Sequence, residues 1–366
     1  MIKKVENKQE LKRFIYYVKD LYKDNPHYIF PLFNILFKEL IKEVIKDKTY
    51  IAILSLNENN KFQGRLLYTV EYNEKEQRDS CYYSYLDLVN SQKVCNELFD
   101  YMEDDMKKNN VFHFEGSFTP YDPDNRRGIL IEGFDSDPVI FTSYNMDYYQ
   151  KLLETNGYSK KTDTYSIIPV RTEKNIKRLN TLSSFFERRY KIDIDFIDFR
   201  HLDRDIQDIH SILTEADNEL LYQEAPSIDL IRDVAENLKL FLDRRIIIIA
   251  RERETRKPIG FAFCLLDFNQ VFKKTKGRIF PIRFLLYKRK ITKVRGMMQY
   301  VVPKYQGAGL LGYMYKIIYD QFKILGINEF EAGTIMEGNK KALTTFAKFG
   351  GKIAKTYRIY GKDLTK

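Results

Sequence analysis

Cysteine is scarce in this chain: Cys81, Cys95 and Cys264 are its three thiols in 366 residues. They stand far apart, without the paired spacing of a metal or redox site, and so low a count fits a reducing compartment. Histidine is nearly as rare. His27, His113, His201 and His210 form no ligand spacing with the cysteines, so no metal site is expected. No serine stands in a nucleophile-elbow setting. Long apolar runs are also missing. A bilayer span needs roughly 20 such residues, and the nearest run, Ile246–Ala250, reads as a buried strand. The opening MIKKVENKQELKRF lacks the apolar core of a secretory signal. The expectation is a cytoplasmic protein with no membrane span.

What is present is enough for a core. The chain is 44% hydrophobic and 14% aromatic, far from the composition of disorder, and its length suits two domains or one large one. Charge is uneven. Lys and Arg counted against Asp and Glu give −4 for residues 1–170, −2 for 171–270 and +16 for 271–366. Such concentration argues for an anionic ligand or surface near the last quarter. Within it, Val271–Gly296 holds ten basic residues and no acid, interleaved with Phe272, Phe280, Phe284 and Tyr287. The run reads either as an insertion packing its aromatics with lysines in water, or as a contact for RNA or an anionic surface.

Apolar periodicity alternates strand and helix twice along the chain. In the first half, Gln9–Tyr22 and Pro31–Ile45 read as helices, and Tyr50–Leu56 and Gly64–Tyr72 as paired strands. Cys81–Val89 and Val111–Phe118 read as strands around a helix at Ser91–Lys108. A helix at Asp147–Thr155 and a strand at Thr164–Val170 close the half. Lys174–Tyr190 reads as a helix joining the halves. The order then returns: strand Ile192–Phe199, helices Arg204–Ala216 and Asp229–Leu242, strands Arg245–Arg251, Pro258–Asp267 and Arg295–Val302. A helix after Gly309, strand Glu329–Thr334, helix Asn339–Phe349 and strand Ile353–Tyr360 complete it. The plan is a duplicated α/β unit with a mixed sheet.

The stretch VVPKYQGAGLLGYMYK, Val301 to Lys316, passes from a strand through a bare turn into an amphipathic helix. Four amides at a helix start lack internal partners, and the helix dipole adds partial positive charge there. Residues as small as Gly307, Ala308 and Gly309 let a phosphate approach those amides. A tight turn that needs glycine only for its backbone angles explains the same residues.

This stretch resembles the pyrophosphate-binding segment of the GNAT acyl-CoA N-acyltransferases, Gln/Arg-x-x-Gly-x-Gly/Ala. Gln306 and Gly309 match the first two anchors, and the third falls on Leu311. The resemblance implies a coenzyme site of Gln306, Gly307, Ala308, Gly309 and Leu310, with Tyr300, Val301 and Val302 bonding the pantetheine arm from a splayed strand. A second family element appears in EFEAGTIMEGNKKALTTFAKFGG, where Asn339 takes the family's place. Phe346 stands where many members carry a tyrosine acid. The cosubstrate implied is acetyl-CoA or another acyl-CoA, and the partner an unidentified amine.

The resemblance also implies two tandem GNAT-like domains: a degenerate copy at 1–172, a linker helix at 173–191 and a coenzyme-binding domain at 192–366. The corresponding turn of the first copy, in YLDLVNSQKVCNELFDYM, has no glycine, so no coenzyme is expected there. Amine acylation benefits from a base and from an acid for the leaving thiolate. Glu337 is the nearest candidate base, and Tyr357 and Tyr360 the candidate acids. Asp267 and Asn269 close a strand beside the expected acceptor cleft. Two rival readings stay open. One is a Fem-type transferase using aminoacyl-tRNA; the other is a CoA-binding sensor or scaffold without catalysis.

Overall fold

Alternating side chains along paired strands decide the layers. In Ile51–Leu56, Ile53 turns to one buried cluster while Ala52, Leu54 and Leu56 turn to another, and Leu66 and Leu67 split in the same way. A strand buried on both faces needs helices on both. A computed structural model describes residues 1–118, 127–170, 172–216, 226–239, 241–278 and 281–365.

The chain runs β1 (Ile2–Lys4), α1 (Lys8–Tyr16), α2 (Val18–Leu21), α3 (Phe33–Leu40), β2 (Ile51–Leu56), β3 (Phe62–Asn73) and β4 (Arg78–Leu88). It continues through α4 (Gln92–Lys107), β5 (His113–Gly116), β6 (Ile129–Glu132), α5 (Tyr149–Thr155), β7 (Ser159–Ile168) and α6 (Glu173–Arg189). Next come β8 (Ile192–Phe196), α7 (Leu202–Glu215), α8 (Ile228–Leu238), β9 (Ile247–Glu252), β10 (Pro258–Leu266), α9 (Asn269–Thr275) and α10 (Pro281–Lys288). The last are β11 (Lys293–Val301), α11 (Leu310–Leu325), β12 (Glu329–Met336), α12 (Lys340–Lys348) and β13 (Lys352–Asp363).

These elements form two units. Unit 1 holds Met1–Tyr165, Asn269–Leu286 and Lys355–Lys366; unit 2 holds Ser166–Phe268 and Tyr287–Ala354. The strand order in unit 1 is β1-β2-β3-β4-β5-β13-β7, with β6 beside β13. Its α4 lays Leu98, Phe99, Met102 and Met106 on one face of the sheet, and α1 and α3 lay Leu11, Phe14, Leu36 and Leu40 on the other. Truncating any of these to Ala costs about 2–5 kcal/mol.

In unit 2 the order is β12-β11-β10-β9-β8, with β11 and β12 parallel and the other pairs antiparallel. Helix α11 buries Leu310, Met314, Ile318 and Phe322, one residue per turn, which fixes the face it turns to the sheet.

Several boundaries differ from the sequence expectation. α6, expected as a linker, belongs to unit 2. Its Phe186 is fully buried, 5.5 Å from the ring of Tyr313 in α11, and Asn175 donates to the carbonyls of Val170 and Phe349 at 2.7 and 2.8 Å. The end of the chain belongs to unit 1 rather than to a domain of 192–366, because Tyr357, Ile359 and Tyr360 are wholly buried there. The basic run folds as α9 and α10, and its part up to Leu286 also joins unit 1. A Cβ added at Gly277 would lie 2.5 Å from the carbonyl of Pro31 and 2.7 Å from the Phe33 ring, so this stretch is packed close. Phe280 lies outside the described residues.

Candidate functional site

Strands β11 and β12 start as a parallel pair and then part. Their register runs Lys293↔Glu329, Val294↔Phe330, Arg295↔Glu331 and Gly296↔Ala332, and pairs no later residues of the two strands. β11 continues to Val301 against β10, whereas β12 continues to Met336. A fork therefore opens beyond Gly296, with one edge of β11 facing it.

Antiparallel geometry tells which backbone groups face that opening, since successive residues direct their N–H and C=O to opposite sides. The Val302 amide donates to Ile259 of the neighbouring strand segment at 3.0 Å, so Val302 and Tyr300 spend their groups on the β10 side. Val301 faces the fork. Its carbonyl accepts from the Gln306 side chain at 3.1 Å, which ties the loop back to the strand end. The Tyr300 ring stacks on Phe261 at 5.7 Å. Of the three strand residues expected to bond a pantetheine arm, Val301 alone is oriented for it.

After Val302, Pro303–Tyr305 makes one 3-10 turn, and two glycines in left-handed conformation lead into α11: Gly307 at φ 74° and Gly309 at φ 103°. Nothing lies within 4 Å of a Cβ built on Gly307, and the nearest atom to one on Gly309 is in Phe186 at 3.8 Å. Backbone angle, more than crowding, thus requires glycine here. The turn consequently stands open. Gly309 caps α11 without a side-chain bond, and by helix geometry the amides of Leu310, Leu311 and Gly312 have no acceptor within the helix. Ala308 spends its amide on the carbonyl of Tyr305 at 3.3 Å.

Charge gathers at this turn. Lys341, exposed near the start of α12, reaches the Gln306 Oε1 at 3.4 Å. Lys304 and the Tyr305 hydroxyl both donate to Glu252, at 3.1 and 2.6 Å. Hydrogen bonds from Tyr305, Thr255 and Lys304 hold the Glu252 carboxyl down at about 2. An open helix N-terminus with a lysine reaching the turn before it suits a phosphate group.

The other expected residues divide between the units. Asn339 caps α12, its side chain accepting from the Ala342 amide at 3.0 Å. Glu337 is half-buried in the turn after β12, and Asp267, 3% exposed, directly follows β10 and donates its amide to the Lys293 carbonyl at 2.8 Å. All three lie in unit 2 with the loop. Asn269 instead starts α9 in unit 1 and donates to the Pro138 carbonyl at 2.8 Å. Tyr357 and Tyr360 are buried in unit 1; the Tyr360 hydroxyl donates to Glu154 at 2.9 Å, and burial followed by that contact raises its pKa well above the phenol range. Phe346 is buried as well.

Sequence reasoning missed a charged cluster at the root of the fork. Arg295 is wholly buried and donates from Nε to the Gly333 carbonyl at 2.8 Å. Glu331, 1% exposed, is held by Lys293 Nζ at 2.5 Å and by the Ser166 hydroxyl. Burial works to lower the Lys293 pKa, but the Glu331 charge and bond outweigh it and the net shift is upward. The signal was the alternation Lys293-x-Arg295 and Glu329-x-Glu331, which sets like-spaced charges on one face of each strand.

Unit 1 repeats the parting of strands and fills it. β4 pairs with β5 in parallel over Cys81↔Phe114, Tyr82↔Glu115 and Tyr83↔Gly116, then runs on to Leu88. There the Leu88 amide donates to the Tyr149 hydroxyl at 2.8 Å, and its carbonyl accepts from Tyr148 at 2.7 Å. Tyr22 donates to Asp87 at 2.7 Å, and Arg65 pairs with the same carboxylate at 2.6 Å. Tyrosines bond the main chain where the other unit leaves Val301 exposed to its fork.

Among the described residues, Glu76, His113 and Glu115 bring three ligand atoms within 4.8 Å of one another. Lys161 already sits 2.6 Å from Glu76 and 2.9 Å from Glu115, and Arg78 lies 2.5 Å from Glu76. Two cations thus compensate the two carboxylates, which suits an ion network better than a divalent metal.

No family model matches the sequence. A curated relative, "Bacterial ceramide synthase" of Caulobacter vibrioides, is 25% identical over 98% of this chain and 96% of its own length. Among solved structures, a tandem GNAT protein from the clavulanic acid biosynthesis pathway superposes with TM-score 0.57 at 9% identity, over 100% of this chain and 99% of that one. A glucosamine N-acetyltransferase region of a fungal multi-domain beta-N-acetylglucosaminidase gives TM-score 0.59 at 12% identity over 99% of this chain. The chain spans 38% of that fungal protein's length. The fold is a tandem GNAT fold.

Proposed function

We propose that unit 2 binds an acyl-CoA and transfers its acyl group to an amine. The observation that carries this reading is the fork beyond Gly296 and Ala332, which ends at the left-handed glycines of an open helix N-terminus. In this reading the amides from Gly309 to Gly312 and Lys341 hold the diphosphate, and Val301 bonds the pantetheine arm. The acyl thioester comes to lie along the fork. A neutral amine attacks the thioester carbon, so that a C–N bond forms and the C–S bond breaks. The amine's surplus proton passes to a base, for which Glu337 is the candidate in the same unit, directly or through water. The thiolate leaves and takes a proton from solvent, since Tyr357 and Tyr360 are wholly buried and the Tyr360 hydroxyl is committed to Glu154.

The curated relative supports one acceptor class. Ceramide is an amide of a long-chain amino alcohol, so such an amine, with a fatty acyl-CoA as donor, is the favoured acceptor. Unit 1 takes no coenzyme in this reading, because tyrosines bond the end of β4.

Calorimetry with CoA on the wild type and on Gly309→Glu tests the loop. The substitution puts a carboxylate where the phosphates lie, and binding is expected to fall by at least about 100-fold, or roughly 2.7 kcal/mol. Equal affinity in the two folded proteins rejects the site. Thiol release from acetyl- and palmitoyl-CoA across a panel of amines then separates a transferase from a CoA-binding sensor.

A further inference from the structure

We infer that Arg295 is the positioning residue that sets where β11 and β12 part, and through that fork where the reacting thioester lies. The inference rests on the acyl-CoA reading above and adds a residue to it. Arg295 and Glu331 form the rung just before the last pair, Gly296↔Ala332. Gly333 is the first residue of β12 past that pair. Arg295 reaches over the rung and takes the Gly333 carbonyl at 2.8 Å with a side chain that is 0% exposed. A carbonyl satisfied by a guanidinium no longer needs an amide from the neighbouring strand, so the ladder can stop without leaving a buried acceptor unpaired.

Placing a charge in the sheet to do this is expensive unless the charge is compensated. The neighbouring strand brings an acid to the same rung: Glu331 stands opposite Arg295 in register, within a cluster in which Lys293 at 2.5 Å and Ser166 also hold that carboxylate. The planar fork of arginine suits the task because its donors point in fixed directions, which an ammonium group does not offer. Gly296 leaves room on the other face, where an added Cβ would meet the Phe330 ring at 2.8 Å. The divergence therefore starts at one defined rung. A slot of defined depth fixes the thioester carbon, and misplacing a reacting atom by about 1 Å costs on the order of 100-fold in rate.

The test uses the full chain and the acyl-CoA and amine pair that the wild type turns over. Arg295→Met keeps the bulk and removes the donor. The expected result is kcat lowered about 10- to 100-fold, with CoA affinity by calorimetry at the wild-type value because the glycine loop is untouched. Arg295→Lys, which restores a donor and the charge, is expected to recover part of that loss. Wild-type kcat in folded Arg295→Met overturns the inference, as does a loss confined to CoA affinity. If Arg295→Met does not fold, Arg295→Gln, too short to reach Gly333, is read by the same criteria. A wild type that binds no CoA overturns the acyl-CoA reading and this inference with it. A wild type that binds and turns over while the variants match it overturns this inference alone.

Discussion

Two glycines two residues apart do different work at the mouth of α11. Gly307 sits at φ 74° with nothing within 4 Å of an added Cβ, so its requirement is conformational. Asparagine tolerates such angles, and Gly307→Asn is expected to keep the wild-type melting temperature, whereas Gly307→Val should cost about 1–2 kcal/mol in chemical denaturation. Gly309, the cap itself, sits at φ 103°, and in the proposed acyl-CoA reading its amide side stays open to the diphosphate as well. Lys341 belongs to the same electrostatic arrangement. Reversing it, Lys341→Glu, is expected to weaken CoA binding about 5- to 10-fold at low salt, with the difference shrinking in 0.5 M salt as charge is screened. A salt-independent difference would place Lys341 away from the phosphates. The two glycines were legible because glycine near proline is a strong local signal, whereas Lys341 was not singled out, being one lysine among many in a basic stretch. Arg295 and Glu331 were not, because alternating charges on a strand ordinarily mark a solvated face and here mark a buried one.

At the scale of elements, the strand–glycine–helix passage came through from the sequence nearly intact, since Leu310, Met314, Ile318 and Phe322 repeat every fourth residue. β1 and β6 did not, being too short to carry a period. Nor did the membership of β13, which is decided by distant ion pairs such as Arg358 with Asp163 at 2.8 Å and Lys362 with Glu103 at 2.8 Å. β13 is also pinned by His113 of β5, whose Nδ1 lies 2.5 Å from Asp363 and whose Nε2 lies 2.5 Å from Glu115. Burial works to lower the His113 pKa, but the bonds to Glu115 and Asp363 prevail over it and over nearby Arg78, and the net shift is upward. A raised folded-state pKa means the protonated ring stabilises the fold fully below the unfolded value of about 6.5 and loses that contribution as pH rises through the folded value. The melting-temperature gap between wild type and His113→Gln should therefore be widest near pH 6 and narrow toward pH 8. A gap that widens with pH would contradict the assigned network.

For the molecule as a whole, the sequence conveyed a duplicated α/β plan but drew the parts as consecutive segments. Hydrophobic periodicity reports what an element buries, without reporting which neighbour covers it, so α6, α9 and β13 were assigned by chain order. Their buried residues assign them otherwise: Phe186 in unit 2, and Val271, Tyr357 and Tyr360 in unit 1. Residues 1–172 expressed alone lack β13 and the 269–286 segment, and are expected to show no cooperative unfolding transition. Adding residues 355–366 in trans or by circular permutation should restore one, as followed by circular dichroism. A cooperative transition in the isolated fragment would mean that β5 and β7 close on each other without the strand between them.

The late position of β13 in the chain has a consequence for synthesis. The lobe translated first must wait for a strand made after the whole of the other lobe, about 200 residues and roughly 10–40 s later at ordinary elongation rates. Throughout that interval β5 presents a bare edge to everything else in the cell, the kind of edge that recruits foreign strands. The later lobe meets no such delay from this strand. Unit 2 can thus reach its folded form before the unit that precedes it in the message.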